Sequence, residues 1–248
     1  MTVRAYAIGD VHGQDTKLAR AHALIAEDRA RTGAEVAPVI HVGDLVDRGP
    51  DSRAVLARLI AGRARGEAWI ALRGNHDDMM VRALHPDLAE GEALASWVGP
   101  GMSGAATLAA YGIDIFAEWT LEELRAAVTA AIPRAHLDLL ANLPTHHHLG
   151  DLFFCHAGIR PGVPLDRQED EDLIWIREPF LSSTRDHGAL IVHGHTPGER
   201  AMHCGNRLNL DSGAGYGGPL SAVAIETPRR VFLLSEEGRV PLSPPDAD

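Results

Sequence analysis

Cysteine is nearly absent. Cys155 and Cys204 are the only two in 248 residues, too few for a disulfide framework, and this scarcity fits a reducing compartment. No apolar run approaches the ~18 residues of a membrane span, which excludes a bilayer-crossing helix. Met1-Thr2-Val3-Arg4 runs straight into Ala5–Ile8, too short an apolar stretch for a signal-peptide core. The expectation is therefore a cytoplasmic chain with no membrane partner. A basic excess is also missing. With Lys+Arg 23 against Asp+Glu 34, the net charge of −11 argues against a general nucleic-acid binder. The acidic excess keeps the surface soluble and leaves a small phosphorylated substrate open, because a few local cations or bound metals reverse the sign inside a pocket. No G-x-x-x-x-G-K pattern occurs, so a nucleotide P-loop is not indicated. There is no internal repeat and no long linker.

What is present is ample core-forming material, 45% hydrophobic against 23% charged residues, consistent with one compact domain. Short apolar runs alternate with helical stretches in the first third. Ala5–Ile8, Val39–Val42 and Ala68–Leu72 read as strands. Lys17–Arg31, Arg53–Ala64 and Asp77–Leu84 read as helices with inward apolar positions such as Leu18, Leu24, Val55 and Leu59. This alternation predicts parallel pairing and an α/β layered architecture. From about residue 90 to 142 the pattern becomes helical, broken at Gly99–Gly101 and Pro133, with a capping box from Thr120 to Glu123. Strands return at Leu152–Cys155, Leu190–Val192, Arg207–Leu210, Ser221–Ile225 and Val231–Ser235, and their close spacing suggests an antiparallel contribution. The domain is expected to span residues 1–240, with 241–248 a frayed tail.

Ionisable residues collect where apolar strands end. The loops are Gly9-Asp10-Val11-His12-Gly13, Gly43-Asp44-Leu45-Val46-Asp47-Arg48-Gly49, Gly74-Asn75-His76-Asp77, His156-Ala157-Gly158 and His193-Gly194-His195-Thr196. In parallel α/β sheets the loops leaving the carboxyl ends of strands gather along one edge, where ligands bind. Asp, His and Asn together suit hard or borderline divalent metals, and the near absence of thiolate argues against a cysteine-type structural zinc site. Two metals require a shared ligand, and a carboxylate such as Asp44 can bridge them.

At these residues the sequence resembles the phosphoprotein phosphatase branch of the calcineurin-like metallophosphoesterases, whose signature is GDxHG, GDxVDRG and GNHD or GNHE, then a lone His and a late His. The match frames residues 9 to about 216. Trp97 and the run from Ala106 to Gly112 resemble bacterial members. The resemblance implies a four-layer α/β/β/α sandwich. It implies that Asp10 and His12 bind one metal, that Asp44 bridges to a second, and that Asn75, His156 and His195 complete the coordination of that second metal. Manganese, or iron paired with manganese or zinc, is the implied cofactor. His76 is implied as general acid with Asp47 holding its imidazole, and Arg48, Arg73 and Arg177 as the phosphate grip.

The implied chemistry is coherent. Two cations ~3.5–4 Å apart hold a hydroxide for direct in-line attack. Arginine forks bind phosphate oxygens, and an imidazole protonates the leaving oxygen. A phosphomonoesterase acting on phosphoserine, phosphothreonine or phosphotyrosine proteins or on small esters ranks first. A symmetrical dinucleoside tetraphosphate hydrolase shares the same loops, and Asp47 decides little between them because a carboxylate orienting the acid serves either. A non-catalytic scaffold is disfavoured because none of the expected ligands is missing, and a nuclease because no basic stripe exists. Tyr216 reads equally as lining the substrate mouth or as anchoring a turn. His146-His147-His148 reads as an exposed turn, Cys155 as a packed small hydrophobe, and His203 and Cys204 as structural.

Overall fold

The computed structural model describes residues 3–85, 87, 93–99 and 103–244. Pro100 and Gly101 of the expected Gly-Pro-Gly break, and residues 245–248 of the expected tail, lie outside them. In chain order the elements are β1 (Ala5–Ile8), α1 (Asp15–Thr32), β2 (Val39–His41), α2 (Ser52–Ala64), β3 (Trp69–Ala71) and α3 (Asn75–Leu84). The helical middle holds α4 (Ala93–Trp97), α5 (Gly104–Ala110), α6 (Leu121–Ala131) and α7 (Arg134–Ala141). Then follow β4 (His146–Leu149), β5 (Leu152–Cys155), α8 (Asp170–Trp175), β6 (Leu190–His193), β7 (Met202–His203) and β8 (Arg207–Asn209). The chain closes with β9 (Ala222–Thr227), β10 (Arg230–Ser235) and β11 (Gly238–Leu242).

Two sheets form, ordered β11-β10-β9-β1-β2-β3 and β4-β5-β6-β8-β7. In the first, β1, β2 and β3 are parallel, and β9 joins antiparallel to β1. In the second, β5, β6 and β8 run parallel. The late strands make the expected antiparallel contribution through β4, β7, β9, β10 and β11, alongside these parallel pairs. The crossover between β5 and β6 is a long segment carrying α8, whose short helix gives only a weak period. The parallel directions put the carboxyl ends of β1, β2, β3, β5 and β6 in position to meet.

Period-two alternation sorts side chains into layers. Ala5 and Ala7 of β1 join Ile40, Phe154, Val192, Leu208 and Val223 in a core between the sheets. Their neighbours Tyr6 and Ile8 face the other way, into a core shared with Leu18, Ile25, Val55, Leu56 and Met80 of the helices. On the second sheet, Phe153 and Ile191 pack with Leu173, Ile174 and Phe180 around α8. The result is a mixed α/β fold of two stacked sheets flanked by helices. Among the described residues no helix is long and apolar enough to cross a membrane.

Local chemistry sets the element ends. Asp51 accepts from the Ala54 N–H at 2.9 Å to open α2, and Gly33 closes α1 in the left-handed region at φ 70°. The Thr120–Glu123 capping box opens α6 as the sequence suggests. Two expectations change. His146–His148 form the edge strand β4 rather than a turn, pairing antiparallel with β5, and His146 stacks on Phe153 with ring centroids 5.3 Å apart. The last strand continues to Leu242, two residues into the segment expected to fray.

A buried ionic knot fastens β11 to α1. Arg239 donates through Nε and Nη2 to both oxygens of Asp28 at 2.8 and 2.7 Å, and through Nη1 to Glu226 at 2.7 Å, while Tyr6 Oη donates to Asp28 at 2.8 Å. Burial alone would raise the Asp28 pKa, but the hydrogen bonds from Arg239 and Tyr6 and the nearby arginine charges outweigh it, leaving the carboxyl below its usual value. Removing one partner strands a buried charge. Arg239→Ala is expected to cost roughly 3–5 kcal/mol in denaturant unfolding at neutral pH. Because the folded pKa of Asp28 is depressed, its contribution is present above the ordinary carboxylate range and is lost as pH falls through the folded value, so the gap between wild type and variant should narrow on acidification. A neutral-pH gap under about 1 kcal/mol would contradict the buried-pair reading.

Candidate active site

The loops after β1, β2, β3, β5 and β6 do meet at one place. Asp10, His12, Asp44, Asp47, Asn75, His76, His156 and His195 are all buried there. The carbonyl of Asp44 accepts from the N–H groups of Val11 and His12 at 3.1 and 2.7 Å, which locks the first loop onto the second. Asn75 and His76 ride on the first turn of α3, which begins two residues earlier than the sequence suggests. The His76 N–H donates to Asp44 Oδ1 at 3.0 Å, and the His195 N–H to Asp10 Oδ2 at 2.9 Å. At Gly74 and Gly194 a Cβ would overlap the Asp44 and Asp10 carboxylates, so both positions demand glycine. Among the described residues, the non-glycine residues at positive φ are His12 (44°), Asp44 (48°), Asp47 (71°), Arg48 (64°) and His195 (65°). Backbone strain is concentrated on the residues singled out for chemistry, a pattern characteristic of functional sites.

The hydrogen bonds fix the imidazole tautomers. His12 Nδ1 donates to the Val46 carbonyl at 2.9 Å, and His156 Nδ1 to the Val42 carbonyl at 3.0 Å. Each Nε2 therefore carries a lone pair. That of His12 faces Asp44 Oδ2 at 3.3 Å, and that of His156 faces Asp44 Oδ1 at 3.3 Å. Asn75 Oδ1 sits 3.0 Å from His156 Nε2 and 2.9 Å from His195 Nδ1. Asp10 Oδ1 and His195 Nε2 are buried without a hydrogen-bond partner. Acceptors pointing at acceptors in a dry interior repel one another unless a cation lies between them. The donor set, carboxylate and imidazole with one amide, is what divalent metals take. The fit is therefore good.

Charge reinforces this picture. Burial, with the Asp211 and Asp44 charges, pushes the Asp10 pKa well above normal, while Asp44 stays below normal: burial opposes its charge, but the histidines and the His76 N–H outweigh it. Burial pulls His12 down to about 4 and His195 to about 3, which keeps both neutral and able to ligate. His76 differs. Burial again opposes its charge, but Asp44 and the Asp47 hydrogen bond, His76 Nδ1 to Asp47 Oδ2 at 2.8 Å, prevail and raise its pKa. Two groups of side chains bring ligand atoms within 4.8 Å of one another: Asp10, Asp44 and His156, and His12, Asp44 and His76. Hydrogen bonding sets His76 apart: its Nδ1 is held by the Asp47 carboxylate, whereas the Nδ1 atoms of His12 and His156 donate to backbone carbonyls.

The arginines divide. Arg48 reaches His12 Nε2 and lies 4.7 Å over the Tyr216 ring, which is 66% exposed and so lines the rim of the site. Arg177 is exposed, and its charge helps depress the His195 pKa after burial. Arg73 is engaged elsewhere. Its guanidinium donates to Asp78 Oδ1 at 3.3 Å and to the Ala141 carbonyl. Cys155 is buried with its thiol directed at the Gly158 carbonyl, its pKa pushed up by burial, and His203 donates to the Pro228 carbonyl at 2.7 Å. Both are structural.

Three residues have a part in the site that the sequence does not assign them, although Trp97 and Thr107 lie in the stretch that resembles bacterial members. Asp211 is buried beside Asp10 and follows β8 in a Gly-containing loop, the same strand-end pattern as the five loops recognised. Trp97 and Thr107 carry hydrogen bonds to Asp47 from α4 and α5. Their role leaves no trace in spacing, because a buried Trp and Thr look like core.

Residues 3–220 match the family of calcineurin-like phosphoesterases. Serine/threonine-protein phosphatase 1 of Salmonella typhimurium is 29% identical over 89% of this chain and 91% of its own length. An asymmetrical bis(5'-nucleosyl)-tetraphosphatase of Anoxybacillus flavithermus is 27% identical over 87% of this chain and 88% of its own. In structure, a cold-active protein-tyrosine phosphatase of a psychrophilic Shewanella species aligns with TM-score 0.62 at 16% identity, covering 98% of this chain and 81% of that one.

The crowding of Asp10, Asp44 and Asp211 yields a test. Asp10→Asn should stabilise the metal-free protein by roughly 1–2 kcal/mol at neutral pH, since it relieves a buried charge. The folded pKa of Asp10 is raised, so its cost is absent below the ordinary carboxylate range and grows as pH rises through it, and the advantage of Asn should grow likewise. With manganese added, the order of melting temperatures should reverse. Destabilisation of the metal-free variant at neutral pH would count against the cradle.

Proposed function

We propose a reaction for a chain that belongs to the calcineurin-like phosphoesterases: hydrolysis of phosphate monoesters, on phosphoserine, phosphothreonine or phosphotyrosine proteins or on small esters. The family works with a dinuclear divalent metal centre. Asp10 and His12 would hold one ion, Asn75, His156 and His195 the other, and Asp44 both. Manganese, or iron with manganese or zinc, suits these nitrogen and oxygen donors. Such a pair supplies, when bound, an acidified water as nucleophile and neutralisation of phosphoryl charge.

The chain's own side chains do the rest. Arg48 binds the phosphate oxygens with a planar fork, and its stacking on Tyr216 holds that fork at the rim. Arg177 adds a second cation near His195. Arg73 serves the phosphate only by leaving Asp78, and otherwise steadies the start of α3. His76 delivers its proton from Nε2 to the leaving oxygen while Nδ1 stays bonded to Asp47. The observation that carries the reading is this buried imidazole, held through Nδ1 by the Asp47 carboxylate at 2.8 Å and set beside the metal cradle at Asp44. An alkoxide leaves poorly without a proton, so an acid held this firmly is of most use to a monoester.

The tetraphosphatase relative supports a second reading, cleavage of a dinucleoside tetraphosphate at the same cradle. Metal-reconstituted protein assayed side by side on a phosphoserine peptide, an aryl phosphate and dinucleoside tetraphosphate separates the two. The monoesters should show the higher kcat/KM. Dominant turnover of the dinucleotide would replace the first reading with the second.

A further inference from the structure

Asp47 makes more hydrogen bonds than holding one imidazole requires. Its Oδ2 accepts from His76 Nδ1 at 2.8 Å and from Trp97 Nε1 at 3.0 Å, and its Oδ1 accepts from Thr107 Oγ1 at 2.7 Å. Thr107 Oγ1 in turn accepts from the Asp47 N–H at 2.9 Å and lies 3.0 Å from Ser52 Oγ, which itself accepts from the same N–H at 3.1 Å. Asp47, Thr107 and Ser52 are fully buried, and Trp97 is nearly so. The carboxylate is thus gripped at both oxygens and at its own amide. Trp97 ends α4 and Thr107 lies in α5, both outside the strand-end loops. Packing alone would be met by Phe at the first position and Val at the second. What Trp and Thr add is a donor aimed at one carboxylate, so that its orientation does not depend on the His76 hydrogen bond alone.

We propose that Trp97 and Thr107 are positioning residues for the general acid. By fixing both oxygens of Asp47 they leave the His76 imidazole one orientation, and proton delivery to the leaving oxygen comes to depend on how α4 and α5 pack. The inference rests on the reading of His76 as the acid. Proton transfer is sensitive to the aim of the donor, and a displacement of about 1 Å can cost on the order of 100-fold.

The test compares kcat on a phosphoserine peptide, whose leaving group needs a proton, with kcat on 4-nitrophenyl phosphate, whose leaving group does not. The proteins are manganese-loaded wild type, Thr107→Val, Thr107→Ser, Trp97→Phe and His76→Asn. Thr107→Val and Trp97→Phe should lose on the order of 10- to 100-fold on the peptide and less than about threefold on the aryl ester, with KM and manganese content unchanged. Thr107→Ser, which keeps the hydroxyl, should restore the peptide rate. Equal losses on both substrates, or none on the peptide, would overturn the proposal while leaving His76 as acid if His76→Asn still discriminates. Equal losses in His76→Asn would remove the acid reading and the proposal together.

Discussion

The Asp44 carboxylate is the point on which the rest of the site depends. It is buried, and water cannot solvate it. It faces the lone pairs of two imidazoles at 3.3 Å, each turned inward by a backbone carbonyl on its far side. Apart from the Arg48 guanidinium, which reaches His12 Nε2, such an arrangement repels itself without a cation, and three loops locked together at that residue hold it in place. The Asp44 carbonyl takes two amides of the first loop, its Oδ1 takes the amide of His76, and Gly74 gives it room. Left-handed backbone at Asp44, His12 and His195 adds strain of order 1–3 kcal/mol each that the two packed sheets must offset. A protein that holds such a cluster in place is organised around a ligand rather than around its own stability.

Much of this was legible in the sequence because polar residues after apolar strands obey few constraints other than function. Ala5–Ile8 and Leu152–Cys155 fall where the apolar runs place them, and the loops beyond them gather as parallel strands require. What periodicity could not supply was strand direction late in the chain, where β6 and β8 run parallel although closely spaced. Nor could composition reveal that His146–His148 pair as an edge strand. Their alternate exposure is a two-residue period, too short to separate from a turn. Arg73 shows a different limit of the sequence. Position in a motif fixes a backbone, whereas a long side chain finds the nearest partner, here Asp78. Asp211 was within reach of the same strand-end rule and was passed over.

The cradle itself does not choose among phosphate esters. Any dianion near a pair of cations and an arginine fork is met alike, and the family resemblance carries no further than that. Selectivity must come from what stands at the rim: the exposed Tyr216 ring under Arg48, the exposed Arg177, and Trp175, whose indole stands edge-on to His195 at 6.3 Å. His76, the acid of the proposed reaction, lies deeper and is tied to the helical middle of the chain through Asp47. On the proposed reading, recognising the ester and protonating its leaving group are carried by different layers of the same fold.

The most direct test of the central claim is anomalous diffraction from crystals grown with manganese. Two peaks roughly 3.5–4 Å apart are predicted, with Asp44 touching both, Asp10 and His12 on one, and Asn75, His156 and His195 on the other. A single peak, or manganese bound away from Asp44, would contradict the account.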